Sequence, residues 1–321
     1  MDAGFRIFRS LEEAAAFGPC ALSIGNFDGV HAGHRRILRR VVELARQRGW
    51  VAAALTFDPH PAQVVAPERA PLMLSSLEER CLLMREEGIE QVLILPFDRE
   101  LAALSPEAFA RNILRDKLDA RAVLVGQNFR FGYQQAGDSQ TLAALGERLG
   151  FLTEVLPPVR VRGRAVSSSE IRRLIQAGAV AAACRLLERP YSLSGEVIPG
   201  RGIGSAVTVP TLNMDPPPKL LPAPGVYITR TASLPEEQRR PSITNVGYRP
   251  TFGAGRLTIE TFLLETFSAR PNAIRVEFLR RVREERKFAD AAALREQILR
   301  DIHRARVFFR RLRRWAGRAP V

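Results

Sequence analysis

The chain has 321 residues, 46% hydrophobic and 26% charged, the balance of a globular protein with room for two separate cores and no apolar run long enough to cross a bilayer. The formal net charge is +14 and nearly all of the basic residues are Arg, with Lys only at 117, 219 and 287. That charge suits anionic small substrates such as nucleotides; no recognition module for nucleic acid is visible, so neither a nucleic-acid nor a membrane partner is expected. Residues 1–20, with Asp2, Glu12 and Glu13, lack the pattern of a signal peptide, and Cys20, Cys81 and Cys184 form no CxxC pair, so reduced thiols and a cytoplasmic location are expected. Nothing in the sequence specifies an oligomeric state.

The first part alternates strands and helices. The apolar run "ALSI" (21–24) is a buried strand, and "HRRILRRVVELARQRG" (34–49) carries apolar residues at helical spacing and ends at Gly49 as a C-cap does. "WVAAALTF" (50–57) is the next strand. "SSLEERCLLMREEG" (75–88) is a helix opened by serine and closed by glycine. "QVLILPF" (91–97) is a strand, "SPEAFARNILRDKL" (105–118) a helix capped by Ser105 with Pro106 at its first position, and "RAVLVG" (121–126) a fourth strand. Short, continuously apolar strands separated by helices predict a parallel sheet covered on both faces.

The pattern changes near "LERPYSLSG", which sets expected domains of 1–188 and 189–321. "YSLSGEVI", "VTVPTLNM", "GVYITRT", "SITNVGY", "LTIETFLLE" and "AIRVEFLRRV" are closely spaced strands, the signature of an antiparallel barrel or sandwich. The stretch 288–315 has one apolar stripe at helical spacing, through Leu294, Ile298, Ile302, Ala305, Phe309 and Leu312, with arginines on a solvated face.

The chemistry concentrates in "GNFDGVHAGH" (25–34), between a strand and a helix. In open parallel sheets ligands bind beyond the carboxyl ends of strands, where helix N-termini favour phosphate. Imidazoles at His31 and His34, three apart, can then stabilise charge developing on a phosphate, with Gly33 allowing close approach to the backbone. Zinc ligation by this pair with His60 and an Asp, and an idle structural role, are the competing readings; zinc motifs place histidines four apart around a Glu, unlike this loop. More polar clusters end strands or open helices: "TFDPHP" with Asp58 and His60, "VGQNFRFG" with Asn128 and Arg130, and "SSSEIRRL" with Ser167, Ser168, Ser169 and Arg172.

Together these motifs resemble a known family. H-x-G-H after a strand is the mark of the nucleotidylyltransferase superfamily, and the full set, G-N-F-D-G-V-H-x-G-H, T-F-D-P-H-P, V-G-x-N-F-R-F-G and S-S-S-x-I-R, resembles the adenylyltransferase module of prokaryotic bifunctional riboflavin kinase/FAD synthetases. "PTLN" (210–213), "PAPGVY", "NVGYRPTFG", "IETFLLE" and "VREERKF" are similar to its riboflavin kinase module. The resemblance implies a nucleotidylyltransferase-type α/β domain followed by a kinase β-barrel with a C-terminal helix. It implies ATP, riboflavin and FMN as substrates and Mg²⁺ as cofactor. On it, Gly25, Asn26, Phe27, Asp28 and Gly33 join the clusters above as ATP or substrate contacts, with Gly204 and Pro210 in the second module. Thr211 and Asn213 would hold the magnesium ion, and Glu260 would be the base for the ribityl hydroxyl. Read without the resemblance, Glu260 is either a solvated edge residue or a tuned base.

The family usually reads G-[RK]-x-L-G-F-P-T-A-N where this chain has "GSAVTVPTLN": Ser205 replaces the basic residue, Thr208 the glycine and Leu212 the alanine. The turn D-L-Y-G is replaced by "SARPNA" (268–273). These departures predict a slower kinase. The alternative functions are a nucleotidylyltransferase with another acceptor and a binding-only barrel, or a basic nucleic-acid-binding protein.

Overall fold

Residues with apolar side chains on both faces become the central strands of the first sheet. The computed structural model describes residues 4–199, 211–248, 257–286 and 288–316. Its first elements are β1 (Arg6–Phe8), β2 (Cys20–Ile24), α1 (Ala32–Arg48), β3 (Val51–Asp58), α2 (Pro61–Val65), α3 (Leu77–Glu86) and β4 (Gln91–Pro96). There follow α4 (Arg99–Ala103), α5 (Pro106–Ala108) continued by a π-helical stretch Phe109–Lys117, β5 (Ala120–Gly126), a hairpin of β6 (Arg130–Phe131) and β7 (Gly137–Asp138), α6 (Ser139–Leu149) and β8 (Leu152–Leu156). A second small hairpin pairs β9 (Arg160–Val161) with β10 (Arg164–Ala165).

The main sheet runs β1-β4-β3-β2-β5-β8, all parallel. Alternate residues serve opposite faces. Leu22, Leu55 and Val123 pack with Phe109, Ile113 and Leu142 on one side. Ala21, Ala54 and Leu124 pack with Leu38, Val41 and Met84 on the other. From β2 the chain proceeds to β3 and β4 in one direction, then returns to β5 and β8 on the other side. The topological switch point therefore lies between β2 and β5, where open α/β sheets bind ligands.

Contacts divide the chain into two compact units, Met1–Ser168 and Ser169–Val321. The second contains most of α7 (Ser168–Gln176) and all of α8 (Val180–Leu187). Then come β11 (Tyr191–Ile198), β12 (Thr211–Met214), β13 (Gly225–Leu234), β14 (Arg239–Tyr248), β15 (Leu257–Leu263), β16 (Ala273–Glu284) and α9 (Ala291–Ala316). The strands close into a barrel ordered β11-β12-β15-β14-β13-β16. Closure removes free sheet edges. One chain of buried hydroxyls crosses three strands: Thr231, Ser242, Thr229, Thr244 and Thr261 follow one another at 2.8–2.9 Å. Each hydroxyl has one proton and two acceptor sites, so every link of the chain can form between its own members. Outside the barrel, Ile302, Ala305 and Phe309 of α9 cover Val226, Ile228 and Ile243. Among the described residues no helix is long and apolar enough to cross a membrane.

Candidate active sites

The H-x-G-H loop leaves β2 at the switch point. Helix α1 begins at Ala32, two residues before the expected start at His34, because His31 is its N-cap: Nδ1 accepts the backbone N–H of His34 at 3.3 Å. This fixes the tautomer. With Nδ1 an acceptor, the neutral ring carries its proton on Nε2 and can donate to an anion. The two imidazoles stack, their centroids 3.7 Å apart and planes 12° from parallel, and Phe27 meets His34 edge-on at 5.2 Å. Gly33 serves this stack: a Cβ there would lie 3.2 Å from Cε1 and Nδ1 of His31. The close approach that requires glycine is thus by the histidine ring.

The loop is strained and tightly held. Phe27 (φ 47°) and Val30 (φ 34°) adopt the left-handed region, which for such side chains costs of order 1–3 kcal/mol each. Several bonds offset this. The Asp28 carboxylate, almost fully buried, accepts the backbone N–H groups of Leu74 and Ser75 and the Ser75 hydroxyl, all within 3.1 Å. Ser75 Oγ accepts from Gly29 N–H at 2.9 Å, and Ser168 Oγ donates to the Asp28 carbonyl at 2.9 Å. Asp28 therefore anchors the loop to the segment before α3.

His60 follows β3 and N-caps α2, its Nδ1 accepting from Ala62 N–H at 3.1 Å. Its Nε2 is 3.1 Å from the Asn26 side-chain amide. Since Nδ1 is an acceptor, Nε2 carries the proton, and the amide oxygen is the group that chemistry turns toward it. Among the described residues no three His, Cys, Asp or Glu converge as a metal cage. His31 and His60 each cap a helix through Nδ1.

Asn128 lies exposed in the turn after β5, the strand beside β2 at the switch point. Arg130 is exposed and pairs with Asp138 at 3.1 Å, and Asp138 caps α6. The Thr141 backbone N–H and hydroxyl, and to a lesser degree that pairing, hold the Asp138 carboxyl below its ordinary range. Asp58 ends β3; Ser167 is half-buried, Ser169 exposed, and Arg172 half-buried on α7. The buried Arg80 escaped the sequence reading. It lies on the apolar seam of α3 with Leu77 and Met84, a spacing that is the one signal of its burial.

In the barrel the register assembles a second site. Asn213 lies directly opposite Glu260 in the β12–β15 pair, and Glu260 directly opposite Asn245 in the β14–β15 pair. Directly opposed residues share a face. Thr211, two residues from Asn213, is on the same face opposite Phe262. Phe262 and Leu264 pack under α9, so Glu260, half-buried, is on the helix-covered side of the sheet. Asn245 was not anticipated from sequence. Gly204 and Pro210, like Ser205 and Thr208, lie outside the described residues.

Two units result: a nucleotidylyltransferase-type parallel sheet with its histidines at a helix N-terminus, and a closed antiparallel barrel carrying a carboxylate between two amides. The FAD synthetase family model matches residues 13–170 and the riboflavin kinase model residues 187–309. The chain is 34% identical over 305 residues to the bifunctional riboflavin kinase/FMN adenylyltransferase of Escherichia coli (strain K12), covering 95% of this chain and 97% of that protein. It is 35% identical over 289 residues to the protein of the same name from Pseudomonas fluorescens, covering 89% and 92%. A crystal structure described as a macrolide-efflux protein from Streptococcus pneumoniae superposes with a TM-score of 0.83 at 24% identity, over 94% of this chain and 98% of that one, a likeness of fold. The chain belongs to the bifunctional riboflavin kinase/FMN adenylyltransferase family.

Proposed function

We propose that this chain makes FAD from riboflavin in two ATP-dependent steps, one in each unit. The observation that carries the reading is the coexistence, in a member of this family, of the H-x-G-H loop at the switch point and the Asn213–Glu260–Asn245 face in the barrel. In the barrel the ribityl 5′-hydroxyl of riboflavin attacks the γ-phosphorus of ATP; ADP leaves and Glu260 takes the hydroxyl proton. In the first unit a phosphate oxygen of FMN attacks the α-phosphorus of a second ATP, releasing pyrophosphate. His31 and His34, at the positive end of α1, stabilise the charge that builds on the phosphates. Gly25, Asn26, Phe27, Asn128, Arg130, Ser167, Ser169 and Arg172 position ATP or FMN, as do Gly204 and Pro210 in the kinase. Asp28, Ser168, His60 and Gly33 act by holding the loop in shape, and Asp58, at the adjacent strand end, contacts ATP or FMN.

The kinase face suits Mg²⁺. A hydroxyl and an amide oxygen, Thr211 and Asn213, are hard donors of the kind that bind this ion together with substrate phosphates. Bound there, it would neutralise phosphate charge. We draw the functional boundary at 188/189, since Ser167–Ser169 belong by motif to the adenylyltransferase. The site of action is the cytoplasm, with small molecules rather than nucleic acid as partners. All three cysteines are free thiols.

The test is to assay both half-reactions on His34→Ala and Glu260→Gln. His34→Ala should lose about 10²-fold or more in FAD formation from FMN and keep riboflavin phosphorylation. Glu260→Gln should do the reverse, by about 10² or more. Parallel loss of both activities in either variant overturns the assignment.

A further inference from the structure

Arg80 is 3% exposed, and its contacts are uncommon for a buried cation. Nη1 donates to the backbone carbonyl of Asn26 at 2.8 Å and to Thr56 Oγ1 at 3.2 Å, both neutral oxygens. Burial pushes its pKa down from the ordinary value, while Asp28 and Asp58 oppose that at longer range. Buried charges are weak stabilisers, often replaceable by apolar residues of similar size without loss. A cation kept at such a place needs another explanation than stability.

Its position supplies one. Asn26 is the first residue after Gly25 where the chain leaves β2, and every left-handed residue of the loop, Phe27, Gly29 and Val30, lies between it and His31. The Asn26 side chain meets His60 at the end of β3, and Thr56 belongs to β3 itself. One guanidinium thus ties the exit of β2 to β3 just before the strained turn. A peptide rotated at Asn26 would carry the error through the turn into both imidazoles.

We propose that Arg80 is a positioning residue for adenylyl transfer: by holding the Asn26 carbonyl it sets the path of the loop that presents His31 and His34. This rests on the adenylyltransferase reading above. The wild-type protein must therefore first convert FMN and ATP to FAD; if it does not, that reading fails before Arg80 is judged.

The experiment measures kcat and KM for FAD formation, and riboflavin phosphorylation on the same preparation, for Arg80→Met and Arg80→Lys. A misplacement of about 1 Å can lower a rate about 10²-fold. Arg80→Met should therefore lose about that much in kcat, with KM for ATP within about threefold and phosphorylation intact. Arg80→Lys, which keeps a cation and a donor, should recover most of the loss. Amide hydrogen exchange in residues 26–31 should quicken in Arg80→Met while that of 36–48 stays unchanged. A wild-type kcat in Arg80→Met overturns the proposal. So does a rise in KM alone, which would make the residue a binding contact, or equal loss of both activities in the two variants. Should Arg80→Met not fold, Arg80→Lys decides by the same split: a fall in kcat with phosphorylation intact supports the role, and no fall removes it.

Discussion

A methyl group added at Gly33 would press on the His31 ring at 3.2 Å, closer than most Cβ contacts, and the ring is what must yield. If it turns, Nδ1 leaves the His34 N–H and the stacked pair comes apart. Local stability pulls the other way, since alanine is favoured over glycine within a helix by about 1 kcal/mol. Gly33→Ala should therefore fold at least as well as the parent while forming FAD about tenfold more slowly or worse, as displaced catalytic groups do. A thermal melt together with the rate of FAD formation from FMN checks both halves, and an unchanged rate would refute this role for the glycine. The opposed signs matter because they separate a glycine needed by its neighbour's ring from one needed by its own backbone.

At the scale of elements, α9 is held to the barrel by Ile302, Ala305 and Phe309, all buried. Phe309→Ala removes the largest of these side chains and should destabilise the protein by about 3–5 kcal/mol, read from the denaturant midpoint for the barrel unit. A change below about 1 kcal/mol would show that the seam carries little of the helix's docking. The α9 stripe was legible because apolar residues recur at helical spacing over many turns, and β2 to β5 because each is an unbroken apolar run. Less of the rest was. Arg6–Phe8 is too short to show a period and joins the sheet by its backbone pairing with β4. Leu152–Leu156 is an edge strand with Leu152 and Val155 exposed, so its pattern contradicts its membership. The Thr and Ser residues inside the barrel look solvent-facing by polarity, and only closure turns them inward onto one another. The candidate sites divide in the same way. His31 and His34 are local, three residues apart in one loop. Asn213, Glu260 and Asn245 come from three strands, and strand alternation gives the face of each without the register that makes them neighbours.

For the whole molecule, the net charge of +14 favours the approach of anionic substrates and intermediates, FMN among them. The chain has two compact units, each with its own core. On the proposed assignment, FMN made in the barrel is expected to reach a histidine loop through solvent, whichever molecule it came from. Two defective proteins therefore provide the test. His34→Ala, supplied with riboflavin and ATP, should stop at FMN; Glu260→Gln should make FAD from added FMN and none from riboflavin. Mixed at equal concentration, they should convert riboflavin to FAD after a lag in which FMN accumulates, and the lag should shorten as protein concentration rises. A mixture that yields no FAD, although Glu260→Gln still converts added FMN, would mean that His34→Ala does not release the FMN it makes. A mixture that yields FAD without a lag would mean that the two proteins associate and transfer FMN directly. Chromatography of the products over time distinguishes the three outcomes, because free FMN builds up first in the expected case and stays low in the other two, of which only the last makes FAD.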